Sequence, residues 1–173
     1  MDLTEIYERF DRQAAAFAEP ACLSCPVGCG DCCENADVEV TRSEADLIAR
    51  YVKKQKPDIE DRLREAISDP ERSDCIFYDR ANDKHCMVYP VRPLTCRAFG
   101  YSTYSRTPGR SLFPICPSMP IAKTGSVIPV LSEPYPPIFG EYREQIDAIE
   151  KGSAARKLPL SKAVASALAS LSK

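Results

Sequence analysis

The sequence predicts an α+β fold, a mostly helical single domain with a small β-hairpin and long loops. Three observations predict it. Five stretches space their apolar residues at the period of a helix, two short β-prone runs flank a polar turn, and nine cysteines sit largely in proline- and glycine-bearing sequence. A length of 173 residues suits one domain, with a core over about 20–120 and a C-terminal extension over 121–173.

Leu3, Ile6, Tyr7, Phe10, Ala14 and Phe17 recur at helical spacing between Asp, Glu and Arg, which predicts an amphipathic helix ending before Pro20. From Cys22 to Cys33, five cysteines alternate with Pro26, Gly28 and Gly30, a composition that predicts a loop and not a helix. Asp37-Val38-Glu39-Val40 alternates like a short strand. Thr41 and Glu44 form a capping-box pattern ahead of Leu47, Ile48, Tyr51 and Val52, so a helix is expected to start there. Pro57 can occupy the first turn of a further helix through Ile59, Leu63, Ala66 and Ile67, stopping near Asp69-Pro70.

Cys75-Ile76-Phe77-Tyr78 and Cys86-Met87-Val88-Tyr89 are the two β-prone runs, and the polar residues between them predict a hairpin. Beyond Pro93 the density of Pro, Ser and Tyr predicts a long wrapping loop. Helices are expected again over roughly 141–150 and 159–171, the second carrying Leu160, Val164, Leu168 and Leu171.

Charge narrows the function. With 23 basic and 25 acidic residues there is no field to attract nucleic acid or an anionic membrane. The first residues carry acids and no apolar run, so no signal segment or membrane span is expected, and a cytoplasmic location follows. Thiols in a reducing compartment point to metal ligation, since an odd count of nine leaves one thiol outside any full set of disulfides. No phosphate-loop, dinucleotide or H-E-x-x-H pattern occurs.

The densest signal is Cys25-x3-Cys29-x2-Cys32-Cys33, in which tight turns can bring thiolates to one centre and point amides at the sulfurs. Cys75, Cys86, Cys96 and Cys116 are the remaining metal-ligand candidates, and Cys22 is the doubtful member. These eight thiols suit two four-thiolate centres, or one centre with buried free cysteines. In an extended backbone Cys32 and Cys33 would point to opposite faces, so they are expected to serve different centres, or one is expected to pack as a small hydrophobe.

Two blocks carry a resemblance. The first is Cys25-Pro26-Val27-Gly28-Cys29-Gly30-Asp31-Cys32-Cys33 followed by Val40-Thr41-Arg42-Ser43-Glu44; the second runs from Cys86-Met87-Val88-Tyr89-Pro90 through Arg92-Pro93 to Cys96-Arg97-Ala98-Phe99. In these the chain resembles the YkgJ-like cysteine-cluster family, described as zinc- or iron-chelating. The resemblance implies metal ligation at the matching cysteines, with Cys75 where that family places an intervening ligand. Some longer relatives are flagellin lysine methylases, which makes a cluster-dependent activity related to protein lysine methylation a further alternative; a shared domain does not specify the reaction.

Dispersed, irregularly spaced thiols and the Cys25-Pro26 and Cys116-Pro117 pairs favour an iron–sulfur cluster, with zinc in a structural interaction module as the alternative. The cluster reading carries a redox or accessory role and a protein or redox partner of unknown identity. Either centre is anionic, and Arg92 and Arg97 are the candidates to offset it, unless they form ordinary ion pairs. Tyr89, Phe99, Tyr101 and Tyr104 are expected to pack as core around the site, with an access route as the alternative. His85 reads as a surface residue at the hairpin end, with a ligand or proton-donor role as the alternative.

Overall fold

The computed structural model describes residues 2–34, 38–55, 57–69, 71, 74–81, 84–107, 112–126, 128–150 and 157–171. Asp37, Pro70 and Asp83 lie outside them. About half the chain is helical and one two-stranded antiparallel sheet is present, an α+β fold. No helix among the described residues is long and apolar enough to cross a membrane. The chain forms two compact units, each assembled from two separated segments.

The first unit comprises Met1–Pro26 and Leu94–Ile149. Helix α1 (Leu3–Ala18) begins at a reciprocal capping box. The Glu5 N–H donates to Asp2 Oδ1 at 2.9 Å and the Asp2 N–H to Glu5 Oε2 at 2.8 Å, satisfying two amides that the first turn cannot bond internally. All six residues of the predicted apolar stripe are buried. They face α5 (Leu94–Ala98) and α6 (Phe139–Asp147), where Phe10 meets Tyr142 edge-on with centroids 5.1 Å apart. Helix α5 interrupts the long loop expected after Pro93. Pro93 fixes φ just ahead of the first turn and needs no amide partner there, and Leu94 and Ala98 bury one side of that turn. A separate apolar cluster gathers Phe17, Ala18, Ala21, Leu23, Cys116 and Met119.

The second unit comprises Val27–Pro93 and Glu150–Lys173. Its first element is α2 (Asp31–Glu34), a single helical turn inside the stretch expected to be pure loop. Next come β1 (Glu39–Val40), α3 (Arg42–Gln55) and α4 (Pro57–Ser68), then β2 (Leu158–Pro159) and α7 (Leu160–Leu171). The predicted capping box starts α3: the Thr41 N–H donates to Glu44 Oε2 at 2.9 Å and the Glu44 N–H to Thr41 Oγ1 at 3.3 Å. Both side chains are fully buried, which these reciprocal bonds permit.

Strand β1 pairs antiparallel with β2, Glu39 opposite Pro159 and Val40 opposite Leu158, and so aims α7 at α3. Their core holds Val40, Ile48, Ala49, Val52, Ile59, Leu63, Val164 and Leu168. Burying each larger aliphatic here contributes about 1.5–3 kcal/mol. Ile67, placed on the apolar stripe of α4, stands exposed instead. The predicted hairpin is present as one antiparallel bridge, Tyr78 with Cys86. The Met87 N–H donates to the Phe77 carbonyl at 3.0 Å and the Asp79 N–H to the His85 carbonyl at 3.2 Å.

Candidate metal centre

The nine cysteines divide between the units. Cys22, Cys25, Cys96 and Cys116 belong to the first, and Cys29, Cys32, Cys33, Cys75 and Cys86 to the second. None of the nine is in a disulfide.

In the second unit, local structure draws sulfurs together. The Cys33 N–H donates to the Gly30 carbonyl at 2.7 Å, closing the turn of α2. In that helical turn Cys32 and Cys33 point about 100° apart rather than to opposite faces, and their sulfurs stand 3.9 Å from one another. The expectation that adjacency would separate them rested on an extended backbone, which this segment does not adopt. The bridged segment is tied to α2 three times. The Cys75 N–H donates to the Cys33 carbonyl at 2.8 Å, the Tyr78 hydroxyl donates to Glu34 Oε1 at 3.2 Å, and Arg80 pairs with the same carboxylate at 3.3 Å.

Electrostatics links these thiols further. The hydrogen-bonded neighbour Cys33 raises the Cys32 thiol strongly, with burial adding to it. Burial pushes the Cys86 thiol up, and Cys32 adds a smaller rise. The Arg92 guanidinium pulls both down by lesser amounts. It lies 3.8 Å from the centroid of the Tyr89 ring, a stacked position that holds its charge in place. The hydrogen bond with Cys33 and burial therefore disfavour the thiolate of Cys32, and burial that of Cys86; a bound cation would favour both.

The first unit holds its cysteines differently. Cys116 is buried in the cluster with Phe17 and Met119. The Cys25 N–H donates to the Tyr101 hydroxyl at 3.0 Å, and Cys96 is exposed on α5. Cys22 takes a left-handed backbone, φ 53°, which disfavours a side chain. Arg97 is buried, ion-paired with Asp11 and stacked 4.2 Å from the Tyr7 ring centroid. Among the proposed shielding aromatics, Tyr89, Phe99 and Tyr104 are exposed and do not pack as core. Tyr89 lies instead against the Arg92 guanidinium, and Tyr104 meets the Phe139 ring with centroids 6.1 Å apart.

Among the described residues, no three His, Cys, Asp or Glu side chains meet at the spacing of a formed metal site. The donor chemistry nonetheless fits a thiophilic metal. The sulfurs of Cys32 and Cys33 are adjacent, Cys75 is bonded to their turn, and Cys86 couples to Cys32 beside a fixed guanidinium.

The model of the CxxCxxCC family, described as a "Putative zinc- or iron-chelating domain", matches residues 21–117. The chain belongs to this family. The match covers more than half of the chain and contains all nine cysteines. The spacing in the CxxCxxCC name holds from Cys29 onward, whereas Cys25 stands one residue further out. No curated protein and no solved structure matches the chain.

The sequence places His85 at the surface of the hairpin end, with a ligand or proton-donor role as the alternative. It is half-buried with a left-handed backbone, φ 50°, and its Nδ1 is enclosed. Its position next to Cys86 was visible; its conformation was not.

Proposed function

We propose that the second unit holds one metal ion through ligands drawn from Cys29, Cys32, Cys33, Cys75 and Cys86, anchored by the adjacent pair, and that the ion is structural zinc. The observation that carries this reading is the 3.9 Å separation of the Cys32 and Cys33 sulfurs. Two thiolates on one tetrahedral zinc, each bonded at about 2.3 Å, stand about 3.8 Å apart. The helical turn of α2 therefore presents one edge of such a tetrahedron. Ligands from the bridged segment would close the rest, fastening Cys75 and Cys86 to α2. Arg92 would balance part of the net negative charge of a thiolate-rich centre.

When bound, the metal supplies ligation energy to a segment with little regular structure of its own. Structural zinc contributes about 10–16 kcal/mol in small peptides.

The second reading is an iron–sulfur cluster with a redox or accessory role and a redox partner. It is favoured by the count, because nine thiols exceed the four positions of one zinc ion. Each thiolate of a four-iron cluster sits on its own iron, which spaces the sulfurs wider than a shared ion does.

Anaerobic purification with elemental analysis and a visible absorption spectrum separates the two. Stoichiometric zinc in a colourless protein is expected. Brown protein with iron and acid-labile sulfide in matched amounts replaces zinc with the cluster, and a protein that takes up neither metal stoichiometrically overturns both readings.

A further inference from the structure

His85 is the only histidine in the chain, and it is placed against the cysteine loop. Its backbone lies at φ 50°, a region that residues with side chains rarely occupy. The bridge between Tyr78 and Cys86 and the bond from the Asp79 N–H to the His85 carbonyl hold it there. The imidazole packs beside the Tyr78 ring, centroids 5.9 Å apart at 57°.

Both ring nitrogens face the glycines that flank Cys29. A side-chain carbon added at Gly28 would stand 3.7 Å from Nε2; one added at Gly30 would stand 2.9 Å from Nδ1 and 2.4 Å from Tyr78 Cε2. The loop is therefore cut to let the imidazole approach the backbone on either side of Cys29. Nδ1 is enclosed and has no hydrogen-bond partner among the described residues. A buried ring nitrogen without a partner is destabilising, and strained backbone of this kind collects at functional positions.

We infer that His85 is a ligand of the centre proposed above, giving the metal the lone pair of Nδ1 beside three thiolates. Three cysteines and one histidine form a common zinc set. The ring stays neutral, with Nε2 carrying the proton. Each ligating thiol releases its proton to solvent as the ion binds. This inference rests on the proposed metal centre and assigns one of its positions to nitrogen.

The test uses the full chain loaded with zinc. X-ray absorption is expected to fit one nitrogen at about 2.0–2.1 Å and three sulfurs at about 2.3 Å. In protein labelled with nitrogen-15 histidine, the Nδ1 resonance is expected to move on loading while Nε2 remains protonated. Loss of an outer-sphere partner already weakens metal binding about 10- to 100-fold, so His85→Ala is expected to lose more than about 100-fold in zinc affinity. The two spectroscopic arms read the unaltered chain and need no folded variant. A four-sulfur shell with an unmoved ring resonance overturns the inference and leaves the metal centre standing. Failure to bind stoichiometric zinc overturns the zinc centre and this inference together.

Discussion

Five cysteines of the second unit and four of the first keep different company. In the second, the sulfurs of Cys32 and Cys33 meet, the Cys75 backbone amide donates to the Cys33 carbonyl, and the Cys86 thiol is raised in small part by Cys32. In the first the cysteines are tied to the surrounding protein: Cys116 lies among Phe17 and Met119, and the Cys25 amide meets the Tyr101 hydroxyl. A thiol among apolar side chains behaves as a small hydrophobe, whereas thiols raised by each other and by burial await a cation. Counting cysteines treats both groups alike; their neighbours separate them.

The largest expected effect breaks the second group. Replacing Cys32 and Cys33 together by serine is expected to abolish stoichiometric metal and to remove exchange protection from α2 and the bridged segment, read by elemental analysis and hydrogen exchange. Retention of metal by that double variant would collapse the distinction between the units. Phe10→Ala strikes the first unit alone: a stability loss of about 3–5 kcal/mol in denaturant unfolding is expected, with metal content unchanged. Glu44→Ala is expected to cost about 1–3 kcal/mol, because the buried Thr41 amide then lacks its acceptor.

Smaller effects sharpen the comparison. Cys116→Ala is expected to cost about 1 kcal/mol through lost packing while metal stays bound, and Cys96→Ser to leave metal bound as well. Metal loss in either variant would bring the first unit's thiols into a centre of their own. Cys22→Ser, at an exposed position, is expected to change stability by less than about 0.5 kcal/mol.

The legible parts of the fold were those with local causes. Helices α1, α3, α6 and α7 announce themselves by apolar period, and the Thr41–Glu44 box marks the start of α3 at the correct residue. Helices α2 and α5, of four and five residues, are too short to show a period, and the glycines and prolines beside them argue for loop. The partner of Glu39 and Val40 is remote, at 158–159, and no local pattern names it. The cysteines were legible one by one as candidates. Their grouping was not, because an adjacent pair points differently in a helix than in a strand. The placing of His85 depends on a backbone angle and on space left by Gly28 and Gly30, which only tertiary structure fixes.

The pairing of Val40 with Leu158 also sets a timetable. Each unit is completed by a segment far along the chain from its beginning, so neither core can close while its first half is all that has been made. At about 5–20 residues per second, synthesis needs roughly 6–24 s to travel from Val40 to the helix that covers it. During that interval the Cys29–Cys33 loop has been made, while α7, which packs on α3, has not. Metal delivered early would meet a flexible chelating peptide, and metal delivered late a folded frame. The order in which ion and last helix arrive thus decides which of the two the metal meets.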